Sequence, residues 1–566
     1  MSAIKTRCTT LLLACLVALG GCGSGSDEVI GGPVAMRKIS AEQYRNIIAD
    51  TFGSRIEVSG RFEPANRRDG LNAIGTSHVA VTPSGFEQYE ALARSIAAQV
   101  VASEHREALM PCRPVAQVAG DDACTQTFIT HYGQRLLRRP LTDSEVQLRV
   151  ANAQQAAADS GDFYTGIELA LSSLLVAPDF LFRIEEAVPA PTPEQPDRQR
   201  VADYTLASRL SFFLWNRGPD EQLLAAAARG ELATDEGVQR EVDRMLASEH
   251  LAGGARAFFY DLFMFDQFDD VSKDAARYPL FTRRLADDAM EQTLRFTVDH
   301  LIAGNGDYRQ LFTSRELPMT RSLGPLYGIP VRSADGWETS RFPDNQPRAG
   351  LLSHGSFAML HAHPGRSSPT LRGVFMREAL LCQTIPEAPA DVDFTLFSED
   401  GHAQYKTARE RLQVHSNEPS CNKCHVLTDP IGLGLEVFDG IGSFRTAENG
   451  AAIDSSGDFD GKRFSDPVEL GRAFAENELV AACLVENLYR YAVGRPELNR
   501  ERRLLRQLEK QFAAANFTLP ALMRDIALSS GFRTASPARE SSHNEQTASS
   551  NAVTSPDPFA AAKETI

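Results

Sequence analysis

Cys421 and Cys424 stand three positions apart and His425 follows at once, giving Cys-Asn-Lys-Cys-His. Two thiols and an imidazole at this spacing suit covalent c-type haem: each sulfur adds to one vinyl group, and the imidazole takes one axial position on iron. A chain with 9 Cys and 12 His would produce the pattern by chance only about 0.003 times. Two other chemistries use a CxxC pair. A redox disulfide belongs at the start of a helix in a βαβ setting, and a structural zinc needs a second Cys/His pair at short spacing; the flanking sequence offers neither. Haem iron also takes a sixth ligand or keeps an open position. His354, Met359, His361 and His363 lie within ten residues of one another and are the candidates, since no Met follows His425 before Met523. Each of these histidines taken singly reads more simply as a solvated loop residue. Arg366, Arg372 and Arg445 are candidate partners for haem propionates, which favour a charge-assisted fork. Val437, Phe438 and Ile441 are candidates to wall the porphyrin.

Haem c is attached outside the cytoplasm, and the N-terminus meets that demand. Lys5 and Arg7 form a positive n-region, Leu11 to Leu19 an apolar segment too short to span a bilayer, and Leu19-Gly-Gly-Cys22 matches a bacterial lipobox. Cys22 is then the lipidated residue and 1–21 the signal peptide, with 22–36 a small-residue tether; the alternative is an ordinary signal peptide cut nearby. Gly23 and Ser24, in place of Asp, direct sorting to the outer membrane, facing the periplasm or the surface. No other stretch reaches the length of a membrane span, so the lipid is the expected anchor.

The elements that must hold this site are helical. Ser40 and Gln43 form a capping box for a helix ending at Gly53, and a second helix runs from about Ser84 to Glu104. Thr125 to Glu186 forms another module, with a helix after Pro140 and an apolar one from Phe163 to Phe182. Val188 to Gln199, carrying four prolines, reads as a linker. Helical periodicity then runs from Asp203 to about Ser314, with aromatics at core spacing. Thr370 to Cys382 and Thr407 to His415 are helices before the motif. Ile453 to Gly461 superficially resembles a calcium loop but has Ser465 where a bidentate Glu belongs, so a turn between two short strands is expected. Helices resume from Pro467 to Ser529, and a Ser/Ala/Asn-rich tail closes the chain. The expected fold class is mainly α, a multi-module helical bundle with a cytochrome c-like haem module and minor β-hairpin content. The modules are 37–110, 125–187, 200–325, 346–447 and 460–533, with a tail at 534–566.

Charge and cysteines narrow the partners. The net charge of −16 becomes −18 without Lys5 and Arg7, which disfavours nucleic acid and anionic lipid and favours a basic redox partner protein. Removing the signal peptide, Cys22 and the haem pair leaves four cysteines. Cys112 with Cys124, and Cys382 with Cys483, are candidate disulfides in an oxidising compartment, although sequence alone does not fix the pairing. No Gly-x-Ser-x-Gly elbow, His-Glu-x-x-His or phosphate-binding Gly-x₄-Gly-Lys-Ser/Thr loop is present.

Several stretches together resemble one large bacterial family. They are Ser40-Ala-Glu-Gln-Tyr-Arg-Asn46, Arg138-Arg-Pro-Leu-Thr142, Ser208-Arg-Leu-Ser-Phe-Phe-Leu-Trp215 and Ser368-Pro-Thr-Leu-Arg-Gly373. The last is Cys421-Asn-Lys-Cys-His-x₃-Asp-Pro-Ile-Gly432, continuing through Glu436, Phe438 and Gly442. The resemblance covers about 37–533 and is to planctomycete-type cytochrome c-like exported proteins built from five successive domains of unknown function with one CxxCH motif. It implies an envelope protein with one covalent haem c on Cys421, Cys424 and His425, passing single electrons. It supplies no substrate. His363 falls where many members carry a His. A haem oxidoreductase or peroxidase-like enzyme with an open sixth position is the second expectation, and a non-redox surface scaffold the third.

Overall fold

The computed structural model describes residues 30–190, 198–386, 405–417 and 419–537. The expected signal peptide, Cys22, most of the expected tether and the tail from 538 onward lie outside the described residues. Helices dominate, and strands occur among the described residues only as antiparallel sheets of two or three strands. None of the described helices is long and apolar enough to cross a membrane.

Local chemistry sets the helix ends. Ser40 caps Ala41–Phe52 through the expected reciprocal pair, its hydroxyl accepting from the Gln43 amide while the Gln43 side chain accepts from the Ser40 amide. Pro83–Val101 buries Tyr89, Leu92, Ile96 and Val100, while first-turn Phe86 stays 46 % exposed. Thr142 and Glu145 form a second capping box for Asp143–Ser160. The apolar helix expected to run from Phe163 to Phe182 instead stops at Leu175. Pro178 forces Ala177 into extended backbone (ψ 141°), as pre-proline sterics require. One further turn leads to Phe182–Ile184, which pairs with Met36–Lys38.

Of the expected linker Val188 to Gln199, residues 191–197 lie outside the described residues. Its two ends are strands: Ala187–Pro189 pairs antiparallel with Gln199–Val201, and the Ala190 amide donates to the Arg198 carbonyl. Thr534–Ala535 adds to the open edge of that pair, so the ordered chain runs past the expected start of the tail. Within 453–461, expected as a turn between two short strands, Gly457–Phe459 is itself a strand and forms a hairpin with Lys462–Phe464.

The modules share cores. Residues 39–182 supply one hydrophobic cluster, joined by Phe212 alone from the later chain. A larger cluster runs from Val201 through the motif region to Phe532, with Leu71 and Ile74 reaching into it. A buried ionic knot ties the two together. Glu185 accepts from Arg209 Nη2 at 2.6 Å and Nε at 2.9 Å and pairs on its other side with Arg37. Arg37 also donates to the Ala492 carbonyl and Arg209 to that of Phe532. Burial alone would raise the Glu185 carboxyl, but the two guanidinium groups hold it well below the usual carboxylate range.

Candidate haem-motif site

The motif lies in the helix Pro419–Leu433, which carries Pro430 in its interior. At 3.6 residues per turn, Cys421, Cys424, His425, Thr428 and Gly432 share one side. That side meets the helix Pro369–Phe375 at very close range. A methyl group built on Gly373 would sit 2.1 Å from the Thr428 carbonyl oxygen, and one on Gly432 only 1.8 Å from that of Pro369. The two glycines therefore let the helix backbones touch. Arg377 closes the crossing from beyond the second helix, donating through Nε to the Leu427 carbonyl and pairing with Asp460.

His425 is 16 % exposed, and its Nδ1 lies 2.8 Å from Asp429 Oδ2, one turn along the same helix. The other oxygen of Asp429 accepts from Thr370 Oγ1 at 2.9 Å, across the helix crossing, and from Thr428 Oγ1 at 3.2 Å. Asp429 is 6 % exposed. Cys421 and Cys424 are half-buried cysteines outside any disulfide, and Cys424 Sγ lies 3.2 Å from the Pro386 carbonyl. The other cysteines among the described residues form the disulfides Cys112–Cys124 and Cys382–Cys483. The second ties the segment after the Pro369–Phe375 helix to the helix Glu478–Val493, and the Asn487 amide nitrogen lies 3.4 Å from each of its sulfurs.

The donor set suits covalent haem. A haem-ligating His characteristically gives its second ring N–H to a carboxylate or carbonyl, which fixes the tautomer, and Asp429 supplies that acceptor. The porphyrin brings four nitrogens of its own, so one imidazole is enough. Among the described residues no group of three or more His, Cys, Asp or Glu side chains is arranged to hold a bare metal ion.

The other expected site residues are placed differently. Met359 is wholly buried in the large core, where it packs among apolar side chains. His354 donates or accepts through Nδ1 with Thr293 Oγ1 at 3.0 Å and packs on Phe296. His361 stacks on Phe375 with ring centroids 4.4 Å apart. Phe375 is two positions beyond Gly373, so it points about 200° away from the motif helix, and His361 lies behind the intervening helix. Burial, reinforced by nearby cations, pushes both rings down to about 3. His363 is half-buried, pushed down to about 4 by burial and then by Arg366 and Lys273; the Lys273 ammonium donates to the Ala362 and His363 carbonyls.

Arg372 is 3 % exposed and donates to the carbonyls of Leu435, Phe438 and Asp439. It clamps the turn after the motif helix and does not present its fork at a surface edge. Arg445 bonds Glu436 and Ser367. Burial raises the Glu436 carboxyl, opposed by Arg372 and Arg445. The expected porphyrin walls Val437, Phe438 and Ile441 belong to the hydrophobic core, with Arg348 stacked 4.1 Å over Phe438. Beside His361 is a cavity of about 10 Å³, bordered by Phe357, Arg372, Phe375 and Phe438. It has room for one water and falls far short of the roughly 300 Å³ at which small-molecule pockets begin. Sequence reasoning missed Asp429, although His-x₃-Asp is the spacing that puts two side chains on one helix face.

Five family models match the chain in succession, all described as proteins of unknown function. They are DUF1587 over 37–102, DUF1595 over 124–185, DUF1592 over 201–329, DUF1588 over 348–448 and DUF1585 over 460–532. No curated protein and no solved structure matches. The motif helix falls inside the DUF1588 segment. With all five segments present and the Cys-x-x-Cys-His helix inside the fourth, the chain belongs to the planctomycete cytochrome c-like family built from this domain series.

Proposed function

We propose that this protein is an exported, lipid-anchored monohaem c-type cytochrome-like protein that passes single electrons in the cell envelope. The observation that carries the reading is the motif helix itself: two half-buried cysteines and an imidazole whose Nδ1 is held by a buried carboxylate. Cys421 and Cys424 anchor the haem and His425 is its proximal ligand. The group supplies one-electron ferric/ferrous chemistry when bound, and the acidic surface favours a basic protein partner. The signal sequence and Cys22 support attachment to the outer membrane through lipid alone.

The test is covalent haem content after export in a strain competent for cytochrome c maturation. The denatured protein and its Cys424→Ala variant are compared as pyridine haemochromes. One haem per chain, with the two-thioether spectrum lost in the variant, is the expected result; absence of covalent haem in the parent would sink the reading and leave a scaffold lipoprotein. A second reading is favoured by the burial of His354, Met359 and His361 in the core. It makes the protein a haem oxidoreductase with an open sixth position. Carbon monoxide binding to the ferrous protein separates the two, since a ligand already in place slows or blocks it.

A further inference from the structure

We propose that Asp429 is the positioning residue of the haem site: its carboxylate fixes His425 in the Nδ1–H tautomer, assigns Nε2 to the iron, and biases the bound iron toward the ferric state. The inference rests on the reading of His425 as proximal ligand and goes beyond it by naming what sets the site's electronics.

Three observations carry it. The first is the hydrogen bond itself, 2.8 Å from His425 Nδ1 to Asp429 Oδ2 within one helix. A carboxylate has no proton to give, so the ring nitrogen must be the donor, and the basic nitrogen is Nε2. The second is that the carboxylate cannot swing away. Thr370 and Thr428 hold its other oxygen, and Thr370 stands on the neighbouring helix, whose distance is fixed by the Gly373 and Gly432 contacts. The third is burial: Asp429 is 6 % exposed, so its charge acts on the ring through little water. A buried anion on the far nitrogen makes the imidazole a stronger electron donor, and this outer-shell hydrogen bonding is one of the few levers a protein has over a haem potential. The extra donation stabilises the more positive iron, so the site is built to give an electron more readily than a site whose His425 faced a neutral acceptor.

Two variants divide the claim. Asp429→Asn keeps an acceptor oxygen but removes the charge, whereas Asp429→Ala removes both. Nitrogen-15 NMR of histidine-labelled full-length protein, exported from a strain lacking cytochrome c maturation, reads the tautomer without haem; the His425 signals are assigned by their loss in His425→Gln. The parent shows Nδ1–H, and Asp429→Ala shifts His425 to predominantly Nε2–H. In haem-loaded protein, a spectroelectrochemical titration of Asp429→Asn gives a midpoint raised so that the ferrous/ferric ratio at fixed potential grows at least tenfold, about 59 mV for one electron. Equal covalent haem in parent and variant shows that the shift is not lost folding. An unchanged tautomer in Asp429→Ala, or a ratio in Asp429→Asn within threefold of the parent, overturns the proposal. Failure of the parent to carry haem overturns the function proposed above and the ferric bias with it, and the tautomer measurement still decides what positions His425.

Discussion

Replacing Gly432 by Ala sets two effects of opposite sign against each other. Alanine in a helix interior is favoured over glycine by about 1 kcal/mol, so propensity alone makes the variant more stable. The structure reverses the sign. The added methyl would sit 1.8 Å from the Pro369 carbonyl oxygen, and the obstacle is backbone, which cannot rotate aside. Overpacking of this kind costs about 1–3 kcal/mol, and the upper end applies because the helix pair must separate along its whole contact. Separation also weakens the Thr370 to Asp429 hydrogen bond, worth about 1 kcal/mol. The sum is a net loss of about 3 kcal/mol, and Gly373→Ala, facing the Thr428 carbonyl at 2.1 Å, behaves alike. Scanning calorimetry of the full chain reads the effect as a fall of several degrees in the transition that includes the motif helix. Lys423→Ala, an exposed site on the same helix, serves as control and stays within about 0.5 kcal/mol of the parent. A Gly432→Ala protein as stable as the parent would refute the close crossing.

Acidification reads the buried imidazoles. His361 is held at about 3 against about 6.5 when unfolded, so its depressed value contributes stability that is fully present above pH 6.5 and is lost as pH falls toward 3, up to about 5 kcal/mol. Urea midpoints measured from pH 7 to 3 should therefore fall less steeply in His361→Phe than in the parent; parallel curves would show the ring to be accessible. Glu185→Gln removes the charge between Arg37 and Arg209 and should cost about 3–5 kcal/mol, with the two cores separating first. Limited proteolysis tests this, and a variant cut no faster than the parent between the cores rules the knot out as their tie.

What could be read from the sequence divides by range. Helix starts were legible where the signal is local: Ser40 with Gln43 and Thr142 with Glu145 cap as their spacing dictates. Four prolines mark Val188 to Gln199 as a chain that cannot be helical, but Pro189 sits in an edge strand, a place proline tolerates, and the pairing between 187–189 and 199–201 is visible only in space. The placement of the histidine cluster is hidden from the sequence for a related reason. His361 and Met359 are close in sequence to His363, but the Pro369–Phe375 helix intervenes between His361 and the motif. Arg372 was read as a partner for a haem propionate, and nothing in the sequence shows that its donors go to the carbonyls of Leu435, Phe438 and Asp439. Asp429 was within reach, because a helix carried through the motif puts it one turn from His425; Pro430 concealed that continuation.

The pairing of Cys382 with Cys483 sets a problem of timing. From Cys112 onward, a chain that crosses a membrane in sequence order delivers Cys112 and Cys124 together, and they are partners. Cys382 then arrives, and the next thiols to appear are Cys421 and Cys424, ahead of its true partner 101 residues away. An oxidant that joins cysteines as they emerge would capture the CxxCH thiols in the wrong bond. With such an oxidant, the pairing of Cys382 with Cys483 is reached if Cys421 and Cys424 are first taken up by another reaction, or if a misformed bridge is opened by thiol exchange. The order of cysteines along this chain thus couples its oxidative folding to the fate of its CxxCH pair.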